Sequence, residues 1–139
     1  MNTPVTLLIV EDDDQDFVFM KRALSELNLT NPILRAVDGQ DALDILKGQH
    51  GKDKLSTPYI ILLDIYMPRM NGIDFLKIIR EDADLKDSMV FIFSSSEQYE
   101  DIKATNEYGI SGFILKSDIV NSFKESVETL GLKWTLVSS

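Results

Sequence analysis

No cysteine occurs anywhere in the 139 residues, so disulfides and thiolate metal sites are both excluded. Basic clusters are missing too: 14 bases stand against 23 acids, a formal net charge of −9. Nucleic-acid binding needs a basic face to displace phosphate counterions, and an anionic membrane surface would repel such a chain. No apolar run approaches the ~18 residues of a transmembrane helix. Residues Met1–Val10 lack a basic segment and are too short an apolar run for a secretory signal. The expected compartment is the cytoplasm. Phosphate-cradling loops are also absent, with neither the P-loop pattern nor GxGxxG present. Histidine is reduced to His50, in a hydrophilic stretch where simple solvation is expected.

What remains is enough for one core. The length suits a single domain, and 44% apolar residues fill one ordinary interior. One domain over residues 1–139 is expected, without an output domain. Short apolar runs alternate five times with helix-period segments. The strands are Val5–Val10, Ile33–Val37, Tyr59–Ile65, Met89–Phe93 and Phe113–Leu115. The first helical stripe is Phe17, Met20, Leu24 and Leu27, and the second Ala42, Leu43, Ile45 and Leu46. Ile73, Leu76 and Ile79 face inward on the third; Val120, Phe123, Val127 and Leu130 do so on the last. The fourth helix, Glu97–Glu107, is the poorest in apolar residues and the least firmly docked.

Unbroken apolar strands are covered on both faces, which predicts a parallel sheet between helices. Right-handed crossovers then favour an α/β doubly wound sheet of five strands flanked by five helices, flavodoxin-like, in the order 2-1-3-4-5. Asp38-Gly39 closes the second strand, while Met67-Pro68 and Asn71-Gly72 bracket the loop after the third. Asp118 is a candidate cap for the last helix. Gly48–Pro58 reads as an exposed loop.

The informative feature is a set of acids at strand ends. Glu11 and Asp12 follow the first strand, and Asp64 ends the apolar part of the third. In this fold the crevice at the carboxyl ends of neighbouring strands one and three is the binding place, so the three carboxylates should converge. Buried like charges repel. A magnesium ion, which takes hard oxygen ligands and keeps sites for phosphate, resolves the conflict. Asp13, Asp14 and Asp16 suit a helix start instead. A calcium-binding EF-hand loop through Asp12, Asp14 and Asp16 fails, because it needs glycine where Phe17 stands and an acid where Ala23 stands. A metal-free phosphate cradle after the first strand fails, because Glu-Asp-Asp-Asp would repel the phosphate.

In these residues the sequence resembles the receiver domain of two-component response regulators. The match is Val10-Glu11-Asp12, the run Asp64-Ile65-Tyr66-Met67-Pro68-Arg69-Met70-Asn71-Gly72, Ser94 and Lys116, each after its strand. The resemblance implies Asp64 as phosphoacceptor, with Asp12, Asp64 and the Tyr66 carbonyl around Mg2+ and Glu11 binding it directly or through water. It implies that Lys116 pairs with phosphoryl oxygens, that Ser94 hydrogen-bonds to one, and that Phe113 is a switching aromatic. Such a protein is not a turnover enzyme; it catalyses only its own phosphorylation and dephosphorylation. The implied donor is a sensor histidine kinase or a phosphotransfer protein, and the output an unnamed downstream protein.

Three departures stand out. Ser117 follows Lys116 where the family usually has proline after a cis peptide, Phe113 lacks a phenol hydroxyl, and the Gly48–Pro58 loop is long. The acids after Asp12, Lys116-Ser117 and Trp134 also resemble the small regulators of phytochrome-type kinases. Trp134, Leu136 and Val137 are then a homodimer patch, or a tail folded onto the last helix. A phosphate-independent pseudo-receiver and an aspartate-nucleophile phosphatase are the alternatives. The phosphatase would place a second aspartate where Tyr66 stands.

Overall fold

The computed structural model describes residues 5–27, 31–67, 70–94, 103 and 105–130, excluding the side chains of 94 and 126–130. Five strands, β1 (Thr6–Val10), β2 (Ile33–Ala36), β3 (Tyr59–Asp64), β4 (Met89–Ser94) and β5 (Gly112–Leu115), form one parallel sheet. Their order is β2-β1-β3-β4-β5, as expected. The helices are α1 (Asp14–Glu26), α2 (Gly39–Lys47), α3 (Gly72–Glu81) and α4 (Ile119–Leu130). The further helix expected at 97–107 falls largely outside the described residues, as do Pro68, Arg69, Trp134, Leu136 and Val137. Lys103 and Thr105 are helical, and a short 3-10 turn follows at Asn106–Tyr108.

Strand alternation divides the core between the two faces of the sheet. Leu8, Val10, Ile61, Leu63, Val90 and Ile92 pack with α2 and α3. Leu7, Ile9, Ile60, Leu62, Phe91 and Phe93 pack with α1 and α4 through Met20, Leu24, Ile119 and Phe123. Each fully buried large side chain contributes roughly 1.5–3 kcal/mol, so both layers are firmly held. On α3 the inward residues are Phe75, Leu76 and Ile79, whereas Ile73 is only partly buried. Leu76 and Ile79 face inward as expected, while Phe75, one turn before Ile79, is buried in place of Ile73.

Three helix starts sit at one rim, each held by a side-chain cap. Asp13 accepts from Asp16 N–H at 2.9 Å, Asp38 from Asp41 N–H at 2.8 Å, and Asn71 from Asp74 N–H at 2.9 Å. Asp118, the expected cap of the last helix, instead accepts from the Asn121 side chain at 3.1 Å and closes a 3-10 turn leading into α4. Gly72 presses α3 against the end of β3, since a Cβ there would lie 2.5 Å from Ile65 Cα. Among the described residues the cis peptide is Thr57–Pro58, so the Lys116–Ser117 bond is trans.

At the opposite end of the sheet, Gly48 ends α2 in the left-handed region at φ 68°. His50 is exposed but not merely solvated: its Nδ1 lies 2.7 Å from Asp44 Oδ1. That contact holds the Asp44 carboxyl below its ordinary range. No helix among the described residues is long and apolar enough to cross a membrane.

Candidate phosphoacceptor and metal site

The carboxyl ends of β1, β3 and β5 bring distant residues to one place. Glu11 leaves β1 with its N–H bonded to Ala36 O at 3.0 Å, and its side chain is completely buried. Asp64 is the last residue of β3, paired with Phe93 of β4, and is also buried. Asp12 lies on the exposed side. One carboxylate oxygen from each of Glu11, Asp12 and Asp64 lies within 4.8 Å of the others.

Lys116, the first residue after β5, reaches into this cluster from the opposite wall. Its Nζ lies 3.2 Å from Asp64 Oδ2, 3.1 Å from Asp16 Oδ2 and 3.6 Å from Glu11 Oε1. The ammonium also stands 5.4 Å from the centre of the Phe93 ring. Tyr66 N–H donates to Asp64 Oδ1 at 2.9 Å, which orients that carboxylate, while Tyr66 itself is half exposed. Ser94 ends β4 opposite Leu115, which puts its backbone at the same rim; its side chain lies outside the description. Phe113 sits on the edge strand β5 with 44% of its surface exposed, so it is not an ordinary core ring.

The electrostatics are unbalanced. Burial, followed by the neighbouring Asp64 carboxyl, pushes Glu11 up to about 9. Burial also holds Asp64 above its ordinary range, with Glu11 and Lys116 pulling against it without cancelling it. Burial opposes the charge on Lys116, yet Asp64, Asp16 and Glu11 outweigh it and raise the ammonium. Both Glu11 carboxylate oxygens are buried with no hydrogen-bond partner. A buried acceptor pair left this way is costly. The donor set fits a hard divalent cation: oxygen atoms only, three carboxylates, and orphaned oxygens aimed into the cluster.

Asp16 is the site residue that sequence reasoning missed. It was assigned to the helix start, as Asp13 and Asp14 were. Asp13 does cap α1, and Asp14 pairs with Arg35 at 2.6 Å. Asp16, however, stands in the first turn of α1 and turns its carboxylate to the Lys116 ammonium at 3.1 Å.

A family model described as the response regulator receiver domain matches residues 7–128. The bacteriophytochrome response regulator RtBRR superposes with a TM-score of 0.85 at 27% identity, covering 99% of this chain and 84% of that one. Response regulator Rcp1 of Synechocystis is 26% identical over 96% of this chain and 90% of its own length. The Mn(2+)-bound form of Rcp1 superposes with a TM-score of 0.75 at 27% identity, covering 97% of this chain and all of that one. The phosphorylated cyanobacterial phytochrome response regulator RcpA gives 0.79 at 25% identity, covering 98% and 100%.

Proposed function

The chain belongs to the response regulator receiver domain family, and from that premise we propose that it accepts a phosphoryl group on Asp64 in a cytoplasmic phosphorelay. The observation that carries this reading is the placement of Asp64. It has the Lys116 ammonium at 3.2 Å and the oxygens of Glu11 and Asp12 close by. Phosphoryl transfer asks a protein mainly for positioning and charge neutralisation around an in-line displacement.

An Asp64 carboxylate oxygen attacks the donor phosphorus, and the bond from phosphorus to the donor nitrogen of a phosphohistidine breaks. The electron pair of that bond returns to the imidazole, and an acyl phosphate remains on Asp64. Lys116 pairs with a phosphoryl oxygen as charge gathers, and the Ser94 hydroxyl donates to another. Glu11, Asp12, Asp64 and the Tyr66 carbonyl would hold Mg2+, which when bound supplies positive charge against the crowded oxygens. The new group carries about two negative charges. Ser94 moving toward it opens space for the Phe113 ring, and the surface around β5 changes for a downstream protein.

The donor is a sensor histidine kinase or phosphotransfer protein. The likeness to RtBRR, Rcp1 and RcpA favours a kinase of phytochrome type. The protein turns over no separate substrate. Self-association through the last helix and tail is checked by sedimentation before and after phosphorylation.

The test is incubation with acetyl phosphate and magnesium followed by intact-mass measurement. Wild type should gain one phosphate, and Asp64→Asn, or wild type in chelator, none. Equal labelling of both proteins contradicts the assignment of Asp64. No labelling of wild type favours a phosphate-independent pseudo-receiver that works by binding alone.

A further inference from the structure

Arg35 is the single charged residue within β2, an edge strand whose other members are Ile33, Leu34 and Ala36. Register places it beside Ile9, two residues before Glu11. Its guanidinium does not engage the carboxylates of Glu11 or Asp12. Nε–H donates to the Glu11 carbonyl at 3.1 Å, and Nη2 donates to the Asp12 carbonyl at 3.2 Å. Nη1 donates to Asp14 Oδ1 at 2.6 Å, and the guanidinium carbon stands 4.9 Å from the centre of the Phe17 ring. The planar fork is therefore fixed by three donors and one face, and its side chain is 22% exposed.

These contacts fall on the backbone of the acidic run and on the first turn of α1. Glu11 to Asp14 are four consecutive acids that repel one another. Left to itself, the loop would relax by turning its carboxylates apart into water. Arg35 brings one positive charge to the carbonyl side of the loop and leaves the carboxylates of Glu11 and Asp12 free to face Asp64. We propose that Arg35 is a positioning residue for the divalent-cation site, fixing the Glu11–Asp12 backbone so that both carboxylates converge on Asp64. This rests on the reading that Glu11, Asp12 and Asp64 hold such a cation.

Charge and geometry predict opposite outcomes here, which makes the inference testable. A cation near the site repels a divalent ion, so on Coulomb grounds alone Arg35→Gln should tighten metal binding. Loss of positioning should weaken it. Arg35→Lys keeps the charge but cannot reproduce the fork.

The experiment titrates the full chain with Mn2+ and follows free Mn2+ by electron paramagnetic resonance, with urea unfolding in chelator as a check on folding. Arg35→Lys and Arg35→Gln should each weaken Mn2+ binding about tenfold, the size usual for residues that orient metal ligands. Amide exchange across residues 11–14 should quicken in the metal-free variants. Unchanged affinity in Arg35→Lys, or tighter binding in Arg35→Gln, overturns the inference; if Arg35→Gln does not fold, Arg35→Lys decides alone. Asp64→Asn and Glu11→Gln serve as controls. Should they bind Mn2+ as wild type does, the metal-site reading itself fails and this inference falls with it.

Discussion

The Lys116 ammonium lies 3.2 Å from Asp64 Oδ2, although 52 residues of chain separate them. The same cation is also 3.1 Å from Asp16 and 3.6 Å from Glu11, with exposed Asp12 beside them. One positive charge thus answers several carboxylates. That imbalance governs how stability depends on pH. Glu11 is held up to about 9 against an ordinary 4.5, and Asp64 is raised as well. Between the ordinary and raised values the folded chain binds more protons than the unfolded one. Stability contributed by the cluster is therefore greatest at low pH and falls as pH rises, by at most ~1.4 kcal/mol per pH unit for each proton. Lys116, itself raised, does not lose its charge in this window. Urea unfolding in chelator from about pH 5 to about pH 9 should show Asp64→Asn increasingly more stable than wild type as pH rises. Magnesium should reverse the order. A constant difference contradicts the electrostatic account.

Gly72 has no room for a side chain. An added Cβ would lie 2.5 Å from Ile65 Cα and 3.0 Å from Asp64 O, and backbone cannot step aside cheaply. Gly72→Ala should cost about 1–3 kcal/mol of unfolding free energy through overpacking. Because the strain falls on the peptide after Asp64, phosphoryl uptake from acetyl phosphate should slow as well. Wild-type stability in the variant contradicts this.

Arg80 of α3 ties three separate segments together. It donates to the carbonyls of Lys86 and Ser88 before β4 and of Tyr108 and Gly109 before β5, at 2.6–3.3 Å. Arg80→Met keeps much of the stem's packing but leaves those carbonyls without their donor. A loss of about 2–4 kcal/mol is expected by chemical denaturation, with the segment before β5 the first to exchange its amides. A loss within experimental error contradicts the role.

Tyr66 stands two residues after Asp64, where an aspartate phosphatase carries its second acid, and it is half exposed. Under the proposed function, bulk at this point would shield an acyl phosphate on Asp64 from water. Replacing Tyr66 with serine should shorten the lifetime of phosphorylated protein, by up to ~10-fold for ~1.4 kcal/mol of barrier. Timing phosphate release after removal of the donor measures it. Unchanged or slower release counts against the shielding role.

Much of this was legible in the sequence because the strands are short and mostly apolar. Each strand begins and ends within one residue of its expected bounds, and the acids of β1 and β3 and the lysine of β5 stand where parallel pairing brings them together. What escaped was decided by geometry across elements. Phe75 displaced Ile73 because Gly72 seats α3 directly on Ile65, which sets the helix's rotation. Asp16 looked like another acid favoured by a helix start, and only the approach of Lys116 from β5 gives it a partner. Arg35 drew no notice in the sequence, because two of its three targets are backbone carbonyls, which no side-chain pattern announces. His50 turns back to Asp44 through a left-handed residue at φ 53°, a conformation that the loop's composition did not signal.

The whole account depends on a cation between the oxygens of Glu11, Asp12 and Asp64. A crystal grown with Mn2+ and measured at the manganese edge should show one anomalous peak between the three side chains, bonded to Asp12 and Asp64 and held by Glu11 directly or through a water. Density with the three carboxylates turned to separate surfaces and no metal between them would contradict it.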